Sequence, residues 1–260
     1  RVALEFAAML RPRLFFVTAL IACLLPGLVW AAAVRVAVAS NFATTLQHLG
    51  EAFSAQTGHR LMMSPGSTGK HFAQIAHGAA FDVFLAADAE RPALLEKQGV
   101  GVPGSRFAYA EGRLVLWAPG ADPGRDPREY LAAGGFRRLA IANPRLAPYG
   151  LAASQVLEGW RLWGALQHKL VSGENVAQAL QFVATGNAEA GLVALSQMRS
   201  MSSDVGSTYW TLPSGLHAPI SQHALLLRQG DAAEAFMDYL RSDAAAAILR
   251  EAGYRVPERP

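Results

Sequence analysis

The chain has 260 residues, 52% hydrophobic and 17% charged, with 23 Lys and Arg against 20 Asp and Glu and one cysteine, Cys23. This composition suits a folded chain of one large or two modest domains and excludes a disulfide framework and a cysteine metal site. A formal charge of +3 is too small for an electrostatic footprint on nucleic acid, and no nucleic-acid partner is expected.

In chain order the first feature is "RPRLFFVTALIACLLPGLVWAAAV", with Arg11 and Arg13 ahead of an apolar run and small residues behind it. That is the pattern of a secretory signal peptide. Residues 1–33 are therefore set aside, with cleavage after Ala33, and Met9 is a more natural initiator than Arg1. "LIAC" at 20–23 resembles a lipoprotein processing box, but the apolar run continues through Leu24, Leu25, Leu28, Val29 and Trp30. Lipid anchoring through Cys23 is the alternative to free export. Removing the segment takes three arginines and one glutamate with it, leaving 227 residues and a formal charge of +1.

"VRVAVAS" at 34–40 alternates as a buried strand does, and Phe42, Leu46, Leu49 and Phe53 follow at helical spacing. Gly58 stops that helix, "RLMMS" reads as a second strand, residues 70–78 as a helix, "FDVFLAAD" as a third strand and "RPALLEKQG" as a third helix. This alternation predicts a parallel sheet covered on both faces, with ligands beyond the carboxyl ends of its strands. Ser40 and Asn41 stand at one such end, and Ser64 to Thr68 at the next.

"RLVLWAPG" at 113–120 is a strand, and "ADPGRDPREY" after it reads as a surface connection. A second α/β unit follows, with "RRLAIANP" as a strand, "YGLAASQVLEGWRLWGAL" and "NVAQALQFVATG" as helices and "AEAGLVAL" as a strand. After "PSGLHAPISQ" come the strand "HALLL" and two Ala-rich helices, "DAAEAFMDYLRS" and "DAAAAILREAG".

The stretch "SPGSTGKHF" at 64–72 holds glycines, hydroxyls and a lysine, yet matches neither phosphate-binding nor hydrolase motifs. A P-loop needs Gly where Ser64 stands and Ser or Thr where His71 stands. A Gly-x-Ser-x-Gly elbow needs Gly in place of Pro65. What remains is a donor-rich turn on a helix N-terminus, which attracts anions.

Several stretches in order, "VAVASNF", "GSTGKHFAQI", "FDVFLAADAE", "IANPRLAPYGLAA", "ENVAQAL" and "GLVALSQ", resemble the periplasmic molybdate-binding proteins of ABC-type importers. The resemblance implies a two-lobed α/β periplasmic-binding-protein fold with a ligand cleft between lobes joined by crossover strands. Its lobes would be 34–112 completed by 221–260, and 113–220. It also implies a monomeric, non-catalytic protein of the periplasm that captures molybdate or tungstate and delivers it to a membrane permease. No cofactor is implied, and molybdenum would be bound only as its oxyanion, with no protein–metal ligand.

By position the resemblance nominates Ser40, Asn41 and Ser67 from the first lobe, and Tyr149 and Val176 from the second as main-chain N–H donors at helix N-termini. Some members place a ligand tyrosine where this chain has Ala194, and Asn41 is expected to supply the missing donor. Serine hydroxyls, the Asn41 N–H₂ and helix-end amides suit a bare oxyanion, which offers acceptors and no donor. Hydrogen phosphate, carrying a proton that needs an acceptor, should be rejected.

Lys70 reads as a solvated or structural charge on the first helical turn. Asp82 and Asp88 read as strand-end and interlobe hydrogen-bonding groups rather than as a general acid and base. His71 and His77 lie on different helix faces, with no metal-binding spacing. The tryptophans, Trp160 and Trp163 among them, read as helix contacts. The competing functions are a binding protein for sulfate or a small organic anion, a hydrolase using Ser67 or an aspartate, and a regulatory ligand sensor.

Overall fold

β1 (Ala33–Ala39) alternates as its sequence requires: Val34, Val36 and Val38 enter one core and Ala37 another, on the opposite face of the sheet. A 3₁₀ turn, Ser40–Phe42, leads into α1 (Ala43–Thr57), whose Leu46, Leu49 and Phe53 are fully buried. Gly58 ends α1 in the left-handed conformation at φ +77°, which costs glycine nothing. The computed structural model describes residues 31–201 and 209–258. Residues 1–30 of the expected signal segment, with Met9 and Cys23, lie outside the described residues, and Ala33, its last residue, opens β1.

There follow β2 (Arg60–Gly66), α2 (Thr68–Ala76), β3 (Val83–Ala86), α3 (Glu90–Lys97) and β4 (Phe107–Gly112). Next come β5 (Leu114–Trp117), α4 (Pro127–Ala133), β6 (Leu139–Ala142), α5 (Pro148–Gly159), α6 (Trp163–Leu166) and β7 (Leu170–Gly173). α7 (Val176–Ala184), β8 (Ala190–Ala194), α8 (Leu195–Ser200), β9 (Tyr209–Thr211), β10 (Ile220–Leu226), α9 (Asp231–Leu240) and α10 (Asp243–Glu251) complete the order.

Two five-stranded sheets result, ordered β2-β1-β3-β10-β4 and β7-β6-β8-β5-β9. Each begins with three parallel strands, and the fourth runs antiparallel to its neighbours. That fourth strand is the one arriving from the other sheet: β5 directly after β4, and β10 after β9. The fold is thus the two-lobed α/β architecture expected. The sheets are mixed rather than wholly parallel, because a strand entering from the other lobe comes from the opposite end.

The first sheet carries α1, α9 and α10 on one face, around Phe42, Phe53, Phe236 and Leu249. Ile75, Phe84, Leu95 and Leu225 form a smaller core on its other face. Phe53 and Phe236 meet edge to face with centroids 5.4 Å apart. Cutting either ring to alanine would cost about 3–5 kcal/mol. The second sheet's core also takes in Ala39, which ends β1, and Ala87, which directly follows β3, so the lobes touch where these strands finish.

Local departures from the sequence reading have local causes. The expected helix over 149–166 breaks after Gly159: Leu162 N–H donates to Leu157 C=O and Arg161 N–H to Glu158 C=O, the bonding of a Schellman cap with Arg161 at φ +61°. The supposed connection "ADPGRDPREY" holds α4, where Asp126 Oδ1 accepts from Glu129 N–H and Pro127 stands in the first turn.

Candidate functional site

Strand register brings the nominated serines side by side. Ala39 of β1 pairs with Gly66 of β2, so Ser40 and Ser67 leave adjacent rungs at the carboxyl end of the sheet. In the other lobe Ala142 of β6 pairs with Gly173 of β7, and α5 and α7 begin just beyond. Gly150 lets α5 start hard against β6, since a β-carbon there would meet Ala142 O at 2.3 Å.

The two walls face each other. Ser40 Oγ accepts from Ala177 N–H at 3.3 Å, joining the start of the first lobe's 3₁₀ turn to the first turn of α7. Gly69 N–H in α2 donates to Leu146 O, just before α5, at 2.8 Å. Ser40, Ser67, Tyr149 and Val176 therefore stand at helix starts drawn together by these bonds.

What each residue can offer follows from what is already committed. Ser67 caps α2, its Oγ accepting from Lys70 N–H at 3.4 Å. Both serine oxygens accept from main-chain N–H groups, so each keeps its own O–H to donate. Pro148 has no N–H and Ala147 provides no side-chain cap, which makes Tyr149 N–H the first amide of α5. Asn175 Oδ1 accepts from Ala177 and Gln178 N–H at 3.0 and 3.1 Å, while Val176 N–H precedes the first intrahelical bond.

Asn41 is arranged differently from the sequence reading. Its Nδ2 donates to Gln222 Oε1 at 3.1 Å and to Tyr254 Oη at 3.0 Å, which uses both carboxamide hydrogens. Its main-chain oxygen accepts from Ser196 Oγ of the other lobe at 3.0 Å. The donor Asn41 has left is its main-chain N–H at the start of a helical turn, not the side-chain N–H₂. Ala194, the position at which the resemblance implied a ligand tyrosine in some members, is fully buried and its N–H is held by Gln197 Oε1.

The charged side chains weighed in the sequence are engaged with partners of their own. Lys70 Nζ pairs with Glu174 of the other lobe at 3.2 Å, with both side chains at least a third exposed. Asp82 binds Arg35 at the amino ends of β1 and β3, away from the cleft, and the guanidinium holds its carboxyl below the usual carboxylate range. Asp88 accepts from Arg91, whose Nη2 reaches Arg145 O across the lobes. Desolvation pushes the buried His71 imidazole down, so it adds no cation. No group of three metal-ligating side chains occurs among the described residues.

A family model described as bacterial extracellular solute-binding protein matches residues 34–255. The chain belongs to that family. This solute-binding protein is 47% identical over 243 residues to the molybdate-binding protein ModA of Azotobacter vinelandii, covering 92% of this chain and 96% of that one. It is 42% identical over 222 residues to ModA of Rhodobacter capsulatus, covering 84% and 86%. The solved periplasmic molybdate-binding protein of Azotobacter vinelandii superposes with a TM-score of 0.81 at 40% identity, covering 86% of this chain and all of that one.

Behind the cleft lies a buried polar cluster that sequence reasoning missed. Gln222 Oε1 accepts from Tyr109 Oη at 3.0 Å as well as from Asn41, and Tyr254 Oη lies 2.9 Å from Ser196 Oγ. Burial pushes the Tyr109 and Tyr149 phenols well up, and Tyr254 to about 12, so all three stay protonated at neutral pH. Asn41 and Tyr254 are 213 positions apart, and no local pattern announces such a pair. Asn175 did leave a signal, a capping residue directly before an apolar periodic run.

Proposed function

We propose that this solute-binding protein captures molybdate, and with it tungstate, in the cleft between lobes 34–112 with 221–260 and 113–220. Ser40 and Ser67 donate hydroxyl hydrogens, and Asn41, Tyr149 and Val176 donate main-chain N–H groups. The protein works as a monomer in the periplasm after removal of residues 1–33, closes over the ion and hands it to an ABC permease. It uses no cofactor, binds no nucleic acid and has no catalytic role.

The observation that carries this reading is the facing of helix N-termini from both lobes, with each serine oxygen accepting a main-chain N–H and its own O–H left to donate. Helix dipoles and charge-assisted hydrogen bonds stabilise a desolvated dianion without a buried cation. The named cargo of the two similar ModA proteins supports molybdate within that class. A hydrolase is disfavoured, since the hydrogen bond of the Ser67 hydroxyl is to a main-chain amide and not to an imidazole or carboxylate among the described residues.

Sulfate meets the same donor logic and is the competing cargo. Calorimetric titration of residues 34–260 with molybdate, tungstate, sulfate and phosphate in one buffer decides between them. One-to-one binding of molybdate and tungstate with phosphate silent is expected. Sulfate binding as tightly as molybdate would reassign the cargo.

A further inference from the structure

Both connections between the lobes start from one rung of the first sheet. Gly112 ends β4 and pairs with Ile220, the first residue of β10. One crossover leaves through Arg113, and the other arrives at Ile220. Gly112 is buried and is not among the positive-φ glycines, so its backbone does not require glycine.

Space does. A β-carbon on Gly112 would stand 2.1 Å from Tyr149 Oη, 3.0 Å from Tyr149 Cζ and 2.9 Å from Gln222 Nε2. Carbon packs favourably at about 3.5–4.0 Å, so the first of these distances is a collision. Tyr149 belongs to the other lobe, is 1% exposed and shares a core with Ile220, which leaves its ring nowhere to swing.

We infer that Gly112 is the closure gate of the cleft: its bare α-carbon is what allows the Tyr149 phenol of one lobe to seat on the hinge rung of the other. Tyr149 carries a proposed ligand N–H at its main chain and the seating ring at its side chain. Docking of the ring and presentation of the N–H are therefore one movement. A methyl group at 112 acts at the pivot, where a small obstruction separates the walls further out. The gate rests on the proposed reading that the lobes close over an oxyanion.

The test compares the exported chain with Gly112→Ala, Tyr149→Leu, which keeps the main-chain N–H, and the double variant, by molybdate titration, small-angle scattering and thermal unfolding. Gly112→Ala should lose at least about tenfold in affinity, the scale of a core overpacking, and should fail to compact at saturating molybdate. The double variant should recover most of that loss relative to Tyr149→Leu alone. Wild-type affinity and compaction in Gly112→Ala would overturn the gate. So would a double variant no better than Gly112→Ala, which would place the obstruction at Gln222 within one lobe. A wild-type chain silent to molybdate would remove the proposed cargo alone. The gate would then be judged by the unfolding cycle, which must show Gly112→Ala to be less damaging in the Tyr149→Leu background, where the shorter side chain leaves room for the methyl group, and additivity would overturn it.

Discussion

Ser67 and Lys70 sit three positions apart in one donor-rich turn, and their environments assign them opposite roles. Ser67 is 2% exposed and its oxygen is held by a main-chain N–H, whereas Lys70 reaches out to Glu174 at the rim. Ser67→Ala should weaken molybdate binding by about 1.5–3 kcal/mol, the range for a lost hydrogen bond to charge. Lys70→Ala should cost under about 1 kcal/mol, because a half-exposed ion pair is screened. Calorimetry that ranks Lys70 above Ser67 would reverse the assignment. Asp82 gives a pH prediction of known sign. Its folded pKa is depressed, so the stability from its contact with Arg35 is present above the usual carboxylate pKa and fades as pH falls through the folded value. Asp82→Asn should melt below the wild type at pH 7, and the gap should close toward pH 3. A gap independent of pH would mean that the charge is not what stabilises.

At the scale of elements, the proposed site is a set of helix starts, and its strength would depend on how their amides are aimed. Asn175 fixes the start of α7 by holding Ala177 and Gln178 N–H, and Val176 N–H is not part of that cap. Asn175→Ala should lower stability by about 1 kcal/mol through the lost cap. It should also weaken molybdate binding, as Val176 N–H loses its fixed direction; unchanged affinity with a lowered melting temperature would confine Asn175 to capping. Element legibility followed the strength of local pattern. β1, β3 and β8 are uniformly apolar or alternating and were readable, as was α7, where Val176, Leu180 and Val183 recur at helical spacing. β4, "FAYAEG", and β7, "LVSG", were not, since one mixes glycine and glutamate with aromatics and the other spans four half-polar residues. Each is recognisable as a strand only through its neighbour in the sheet.

For the whole molecule, the proposed site takes its donors from two lobes, so binding should register as global stability. Molybdate at about a hundred times its Kd adds about 2.7 kcal/mol to unfolding. For a chain of this size that is about 5–10 °C in Tm, read by scanning calorimetry. Phosphate at the same concentration should leave Tm unmoved. A stabilisation by phosphate equal to that by molybdate would contradict the proposal that the ion is held by donors alone.

By itself the amino-acid sequence determined the alternation of strands and helices, the serine-bearing turns at strand ends and the near-neutral balance, because these depend on neighbours a few positions away. Ordered motifs extended that to a family and to residues such as Tyr149 and Val176, whose proposed contacts use no side chain and leave no chemical signature. Only the tertiary structure decided the rest. It committed the Asn41 carboxamide to Gln222 and Tyr254, sent Lys70 to Glu174 and set Tyr149 against Gly112. These are contacts between segments remote in the chain, and their geometry exists only once both sheets have formed and the crossover strands have fixed one lobe against the other.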